Sequence, residues 1–228
     1  MRKLFENWRT FQEQKDSRSS LSAAFGEQGK ERPFALSIPG DLDVESPINI
    51  ILYFHGKYRV KVFDHSARLD KLTSRVPKEP NTVLVVPNLG ADPQKKGNYL
   101  PSDFLRYVSD TLGGAVQFGK ISLIAHSAGG KPMSNFILSL DDGLLSKVHV
   151  TYLDATYSPG IVKRAVKKME KLGLCDRVDI TWIEGTTTHA RAKSLPPCVK
   201  QRSAQKGIKH KDLEVPPEWG DKEAQQTN

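Results

Sequence analysis

Ser127, Asp154 and His189 have the side-chain types that nucleophilic acyl transfer requires, and each follows an apolar run of strand length. A serine hydroxyl is a weak nucleophile near neutral pH until an imidazole accepts its proton. A carboxylate then fixes the imidazole tautomer and stabilises the cation that forms. Ser127 lies just past Ile121–Ala125 (ISLIA), Asp154 just past Val148–Leu153 (VHVTYL), and His189 shortly past Val178–Ile183 (VDITWI). Residues that leave neighbouring parallel strands at their C-terminal ends share one rim, so three distant segments converge if these runs are such strands.

The sharpest of the three positions is Ala125-His126-Ser127-Ala128-Gly129-Gly130. An apolar strand there passes into a helix within a few residues. So tight a reversal crowds the positions two before and two after its apex, here Ala125 and Gly129. The apex serine is then held in strained backbone, with its Oγ above the sheet at a helix N-terminus. The Ala128 N–H lies where an oxyanion would develop.

The supporting elements alternate. Phe34–Ile38, Ile48–Phe54, Thr82–Val86 and the three runs above read as strands, rich in β-branched and aromatic residues. Their near-continuous apolar character suits a sheet buried on both faces. Helical stripes fall between them: Phe104, Leu105, Val108 and Leu112 after Ser102; Met133, Phe136, Ile137 and Leu140; and Ile161 to Leu172. The last stripe carries Lys163, Arg164, Lys167, Lys168 and Lys171 on its other side, read as a solvated outer face. Alternating strands and helices predict an α/β fold with a mostly parallel central sheet flanked by helices.

The elbow resembles the G-x-S-x-G nucleophile elbow of the α/β-hydrolase superfamily, with Ala125 in place of the first glycine. Leu52–Lys57 (LYFHGK) is similar to the segment leading into the superfamily's oxyanion loop. The resemblance implies a second oxyanion donor near Gly56 or Lys57, although Lys57 stands where many members have glycine. His55 reads as a structural hydrogen-bonding residue. The chain order Ser127, Asp154, His189 is also the superfamily's order, and the likeness covers about residues 34–195. In the commonest arrangement the acid follows the second strand after the nucleophile, whereas Asp154 follows the first. Either a strand is missing or the acid has moved one strand inward. Asp176 and Asp179 fall at the wrong end of the last strand to replace it. Among the other histidines, His126 sits inside the elbow, His65 in a basic loop, His149 within a strand and His210 in the tail. Glu184, just before the His189 loop, reads as a solvent-facing strand end.

The resemblance implies a carboxylic ester hydrolase working without metal or organic cofactor. Two alternatives stay open: an amidase or peptidase on the same residues, and a non-catalytic basic binding protein on a hydrolase scaffold. With one helix of space in Ala155–Arg177, a large lid is not expected. Arg59 in the loop after Lys57, together with Arg191 and Lys193, makes the rim basic and points to an anionic ester substrate. Net charge is +8 and the pI about 9.4. Seven Lys or Arg and no Asp or Glu occupy Thr186–Lys211. This charge reads as a solvated surface, with no nucleic-acid or membrane partner expected.

Composition (38% hydrophobic, 26% charged) excludes wholesale disorder, collagen-like repeats and coiled coil. The segment MRKLFENWRTFQEQKD lacks the apolar stretch of a secretory signal, which leads to the expectation of a cytoplasmic protein. Cys175 and Cys198 are expected to be two independent thiols, with a single bridge as the alternative. The domain is placed at residues 34–198, between a polar segment 1–33 and a polar tail 199–228.

Overall fold

A computed structural model describes residues 21–22, 34–57, 72, 79–89, 93, 101–114, 116–204 and 216. Arg59, His65 and His210 lie outside the described residues. Among the described residues eight strands form one sheet: β1 (Leu21–Ser22), β2 (Phe34–Ile38), β3 (Ile48–Phe54), β4 (Thr82–Pro87), β5 (Phe118–His126), β6 (Val148–Leu153), β7 (Val178–Trp182) and β8 (Lys200–Ser203). Their spatial order is β1-β2-β4-β3-β5-β6-β7-β8. β1 and β2 join the sheet antiparallel, and all pairings from β4 through β8 are parallel. Helices α1 (Pro101–Thr111), α2 (Gly130–Ser139), α3 (Asp142–Leu145), α4 (Pro159–Lys171) and α5 (Thr187–Ala192) lie between strands. The fold is α/β with a mostly parallel sheet, as the alternating pattern predicts.

Strand parity divides the core. Ile50, Leu52 and Phe54 of β3, Ile121, Leu123 and Ala125 of β5, and Val150 and Tyr152 of β6 face one side. There they meet Phe104 and Val108 of α1, Met133, Phe136 and Ile137 of α2, and Val162, Ala165 and Met169 of α4. The intervening residues Ile51, Tyr53, Leu84, Val86, Ile124 and Leu153 pack on the opposite side with Leu72, a helical residue. Burial on both faces is why these strands lack polar alternation. Phe136 touches both Phe54 and Phe104, with ring centroids 5.8 and 5.7 Å away, and so seats α2 against the end of β3.

The structure corrects four expectations. Lys168 is not a purely solvated charge: its ammonium donates to the carbonyls of Leu138 and Leu140, serving the otherwise unpaired C-terminal end of α2. Lys163, Arg164, Lys167 and Lys171 are exposed as expected. Cys175 and Cys198 form a disulfide, with Cα atoms 5.6 Å apart. It joins the turn before β7 to the turn before β8. Third, the sheet runs past both limits of the 34–198 segment, through β1 at Leu21–Ser22 and β8 at Lys200–Ser203. Fourth, the stretch after β7 that reads as a loop contains the short helix α5. Among the described residues no helix is long and apolar enough to cross a membrane.

Candidate active site

The site is built on three consecutive parallel strand ends. Register pairs His126 of β5 with Leu153 of β6, and Leu153 with Thr181 of β7. Ser127 and Asp154 are the next residues along β5 and β6, on strands about 4.8 Å apart. The Asp154 N–H donates to the Thr181 carbonyl at 2.7 Å, so the acid leaves the sheet still anchored to β7.

Ser127 has φ 52°, a left-handed conformation uncommon for residues other than glycine, asparagine and aspartate. Ser127–Gly129 form a single 3-10 turn, and α2 begins at Gly130. Close approach of backbone enforces the geometry. A Cβ on Gly129 would sit 2.1 Å from the Phe54 carbonyl oxygen, and one on Gly130 would sit 1.8 Å from that of Ala155. Gly129 therefore docks the elbow onto the end of β3, and Gly130 docks it onto the loop that follows Asp154. The requirement for smallness at Gly129 was readable in the sequence; that at Gly130 was not, because it depends on a loop 25 residues away.

Gly56 completes the third side. A Cβ there would lie 2.9 Å from both Ser127 Cβ and His126 Nδ1, so the backbone after β3 passes directly beside the serine. Ala128 is buried and Lys57 exposed. The His55 ring is fully buried, with Nδ1 2.8 Å from the Gly56 carbonyl, where it acts as donor and braces this loop.

Asp154 also has positive φ, 45°, and is 1% exposed. A buried carboxylate needs donors, and three hydroxyls surround it. Thr188 Oγ1 donates to Oδ1, Thr186 Oγ1 lies 3.4 Å from the same oxygen, and Tyr157 OH donates to Oδ2 at 3.2 Å. Burial, and then the neighbouring Asp154 charge, push the Tyr157 phenol up to about 12, which keeps it protonated and able to donate. Sequence reasoning missed Tyr157, Thr186 and Thr188; the hydroxyl-rich run Thr186-Thr187-Thr188 beside the proposed base was the available signal.

His189 is on α5, half-buried, with its ring stacked on Trp182 at 5.2 Å between centroids and 10° between planes. Among the described residues no hydrogen bond joins the His189 ring to Ser127 or Asp154. Arg191 Nη1 donates to the Tyr157 carbonyl at 3.0 Å, tying α5 to the acid loop, and Lys193 is exposed. Glu184 is exposed, as are Asp176 and His149, both remote from this rim near the opposite ends of their strands.

No family model and no curated protein matches the sequence. Among solved structures, a ferulic acid esterase aligns with a TM-score of 0.51 at 13% identity, over 79% of this chain and 87% of that one. A thermostable esterase aligns with a TM-score of 0.56 at 12% identity, over 90% of this chain but only 60% of that one. At such identity the likeness is one of fold.

Proposed function

We propose that this chain, whose fold is that of the α/β-hydrolases, is a serine hydrolase that cleaves carboxylic esters through an acyl-enzyme on Ser127. The observation that supports this most strongly is the left-handed backbone of Ser127 at a glycine-packed strand–helix turn, one strand from a buried carboxylate. Backbone strain of that kind is retained where the exposed position of a side chain matters.

In this reading Ser127 Oγ attacks the ester carbonyl while an imidazole accepts its proton. Asp154 orients that imidazole. The Ala128 N–H, with a second donor from Gly56 or Lys57, receives the charge on the carbonyl oxygen. The imidazolium then protonates the departing alcohol. Water, deprotonated by the same ring, releases the acid and restores Ser127. His189 is the base in the primary reading.

A second reading of the base is His210, and two observations favour it. The His189 ring is engaged face to face with Trp182 rather than with the acid. β8 runs parallel to β7 and its successor Ala204 donates to the Trp182 carbonyl at 2.7 Å, so the chain leaves the sheet at the Ser127 rim six residues before His210. Substituting the true base should lower kcat by about three orders of magnitude or more, while the other histidine changes it several-fold at most. Assay of His189→Ala and His210→Ala on one ester decides between them.

Arg191, Lys193 and Arg59 are proposed to favour an anionic acyl or alcohol group. If so, KM for an anionic ester rises with salt, and KM for a neutral ester of equal size stays flat. The function itself is tested by turnover of paired ester and amide analogues of one acyl group, with Ser127→Ala alongside. Ester hydrolysis that vanishes in the variant is the expected result. Amide cleavage alone would make the protein an amidase, and turnover retained by Ser127→Ala would reject Ser127 as nucleophile.

A further inference from the structure

We infer that Thr188 is a positioning residue, the inner member of a two-threonine hydroxyl relay that holds Asp154; the inference rests on the serine-hydrolase reading and adds to it a residue in the second half of the site. Thr188 is fully buried, and its Oγ1 meets both Asp154 Oδ1 and Thr186 Oγ1, the latter at 2.5 Å. Each hydroxyl has one proton to give. The Ile183 carbonyl, 2.6 Å from Thr186 Oγ1, has a second lone pair beside the one that takes the Thr186 N–H at 3.2 Å, but a Thr186 proton given there would leave the 2.5 Å contact between the two threonines with no proton once Thr188 serves the carboxylate. The assignment that leaves the carboxylate served is therefore Thr186 Oγ1–H to Thr188 Oγ1, and Thr188 Oγ1–H to Asp154.

The contact is reciprocal. Thr156, two residues past the acid, donates its hydroxyl to the Thr188 carbonyl at 3.1 Å, and Arg191 donates to the Tyr157 carbonyl. Thr188 is thus fixed at both its backbone and its side chain to the 154–157 loop. Asp154 sits in left-handed backbone with its Oδ2 toward Tyr157, so Thr188 sets the rotation of the carboxylate plane about that second anchor.

The test compares Thr188→Val, which keeps shape and removes the donor, with Thr188→Ser, which keeps the donor and removes a methyl. Both are measured in the wild-type and Asp154→Asn backgrounds, with melting temperatures recorded. Thr188→Val should lower kcat roughly 10- to 100-fold with KM unchanged, Thr188→Ser should restore most of it, and Thr188→Val should add nothing further to Asp154→Asn. Equal losses in the Val and Ser variants, or a full Thr188→Val loss persisting on top of Asp154→Asn, would make the role packing and overturn the inference. Wild-type protein without serine-dependent turnover would remove the parent reading, and this inference with it.

Discussion

The two residues of the site with left-handed backbone, Ser127 and Asp154, are held by different means. At Ser127 the restraint is backbone against backbone: glycines at 129 and 130 admit the Phe54 and Ala155 carbonyls to distances no side chain tolerates. At Asp154 the restraint is side-chain hydrogen bonding, from Tyr157 and from Thr188, which Thr186 supports in turn. Backbone packing is unforgiving of any added atom. A hydroxyl network can lose a member and leave the strand end in place. Substitutions at the first region should therefore cost the fold, and substitutions at the second should cost function ahead of fold.

The largest expected effect follows from the first region. Gly129→Ala places a methyl 2.1 Å from the Phe54 carbonyl oxygen, a backbone atom that cannot swing aside. Overpacking of this kind costs about 3 kcal/mol or more. Denaturant unfolding should show a large loss of stability, or no cooperative native state at all. A variant as stable as wild type would show that the elbow does not rest on β3 as described.

A smaller loss is expected at the disulfide, which stiffens the segment carrying α5 and the threonines. Cys175 and Cys198 are 23 residues apart in sequence. Closing such a loop removes about 3 kcal/mol of unfolded-chain entropy. The Cys175→Ser/Cys198→Ser protein should unfold at correspondingly lower denaturant while keeping its far-ultraviolet circular dichroism. Unchanged stability would mean that the bridge closes no loop that matters.

The smallest effect sharpens the second region. The Tyr157 phenol is pushed up from its ordinary value of 10 to about 12, chiefly by burial. Between those values the unfolded chain loses this proton and the folded one keeps it, so stability falls as pH rises from about 10 toward 12. Tyr157→Phe cannot ionise in either state and should flatten that part of the stability–pH curve. If the slope is identical in both proteins, Tyr157 is not the titrating group.

How much of this was legible in the sequence follows the same division. β3, β5 and β6 were readable because burial on both faces produces unbroken apolar runs, and the elbow was readable because close backbone packing dictates small residues at fixed offsets. β8 was not. Lys-Gln-Arg-Ser lies at the sheet edge, mostly exposed, and is a strand because β7 offers it an unpaired backbone edge rather than because its side chains favour one. Among the described residues the sheet has a strand beyond β7, in what reads as a polar tail, so Asp154 one strand after Ser127 does not require a missing strand. The bridge between Cys175 and Cys198 has no signal in the sequence, since spacing carries no information about whether two turns meet. The threonine contacts to Asp154 join residues 32 and 34 positions apart, and the hydroxyl-rich run Thr186-Thr187-Thr188 carries no information about which residue it meets.

The central claim is that Ser127 forms a covalent intermediate. Incubating the purified full chain with a fluorophosphonate, measuring its intact mass and mapping the modified peptide tests it directly. The account predicts one adduct, on the peptide containing Ser127, with none on Ser127→Ala. An adduct on another residue, or a folded wild-type protein that stays unmodified while a known serine hydrolase in the same tube is labelled, would contradict it.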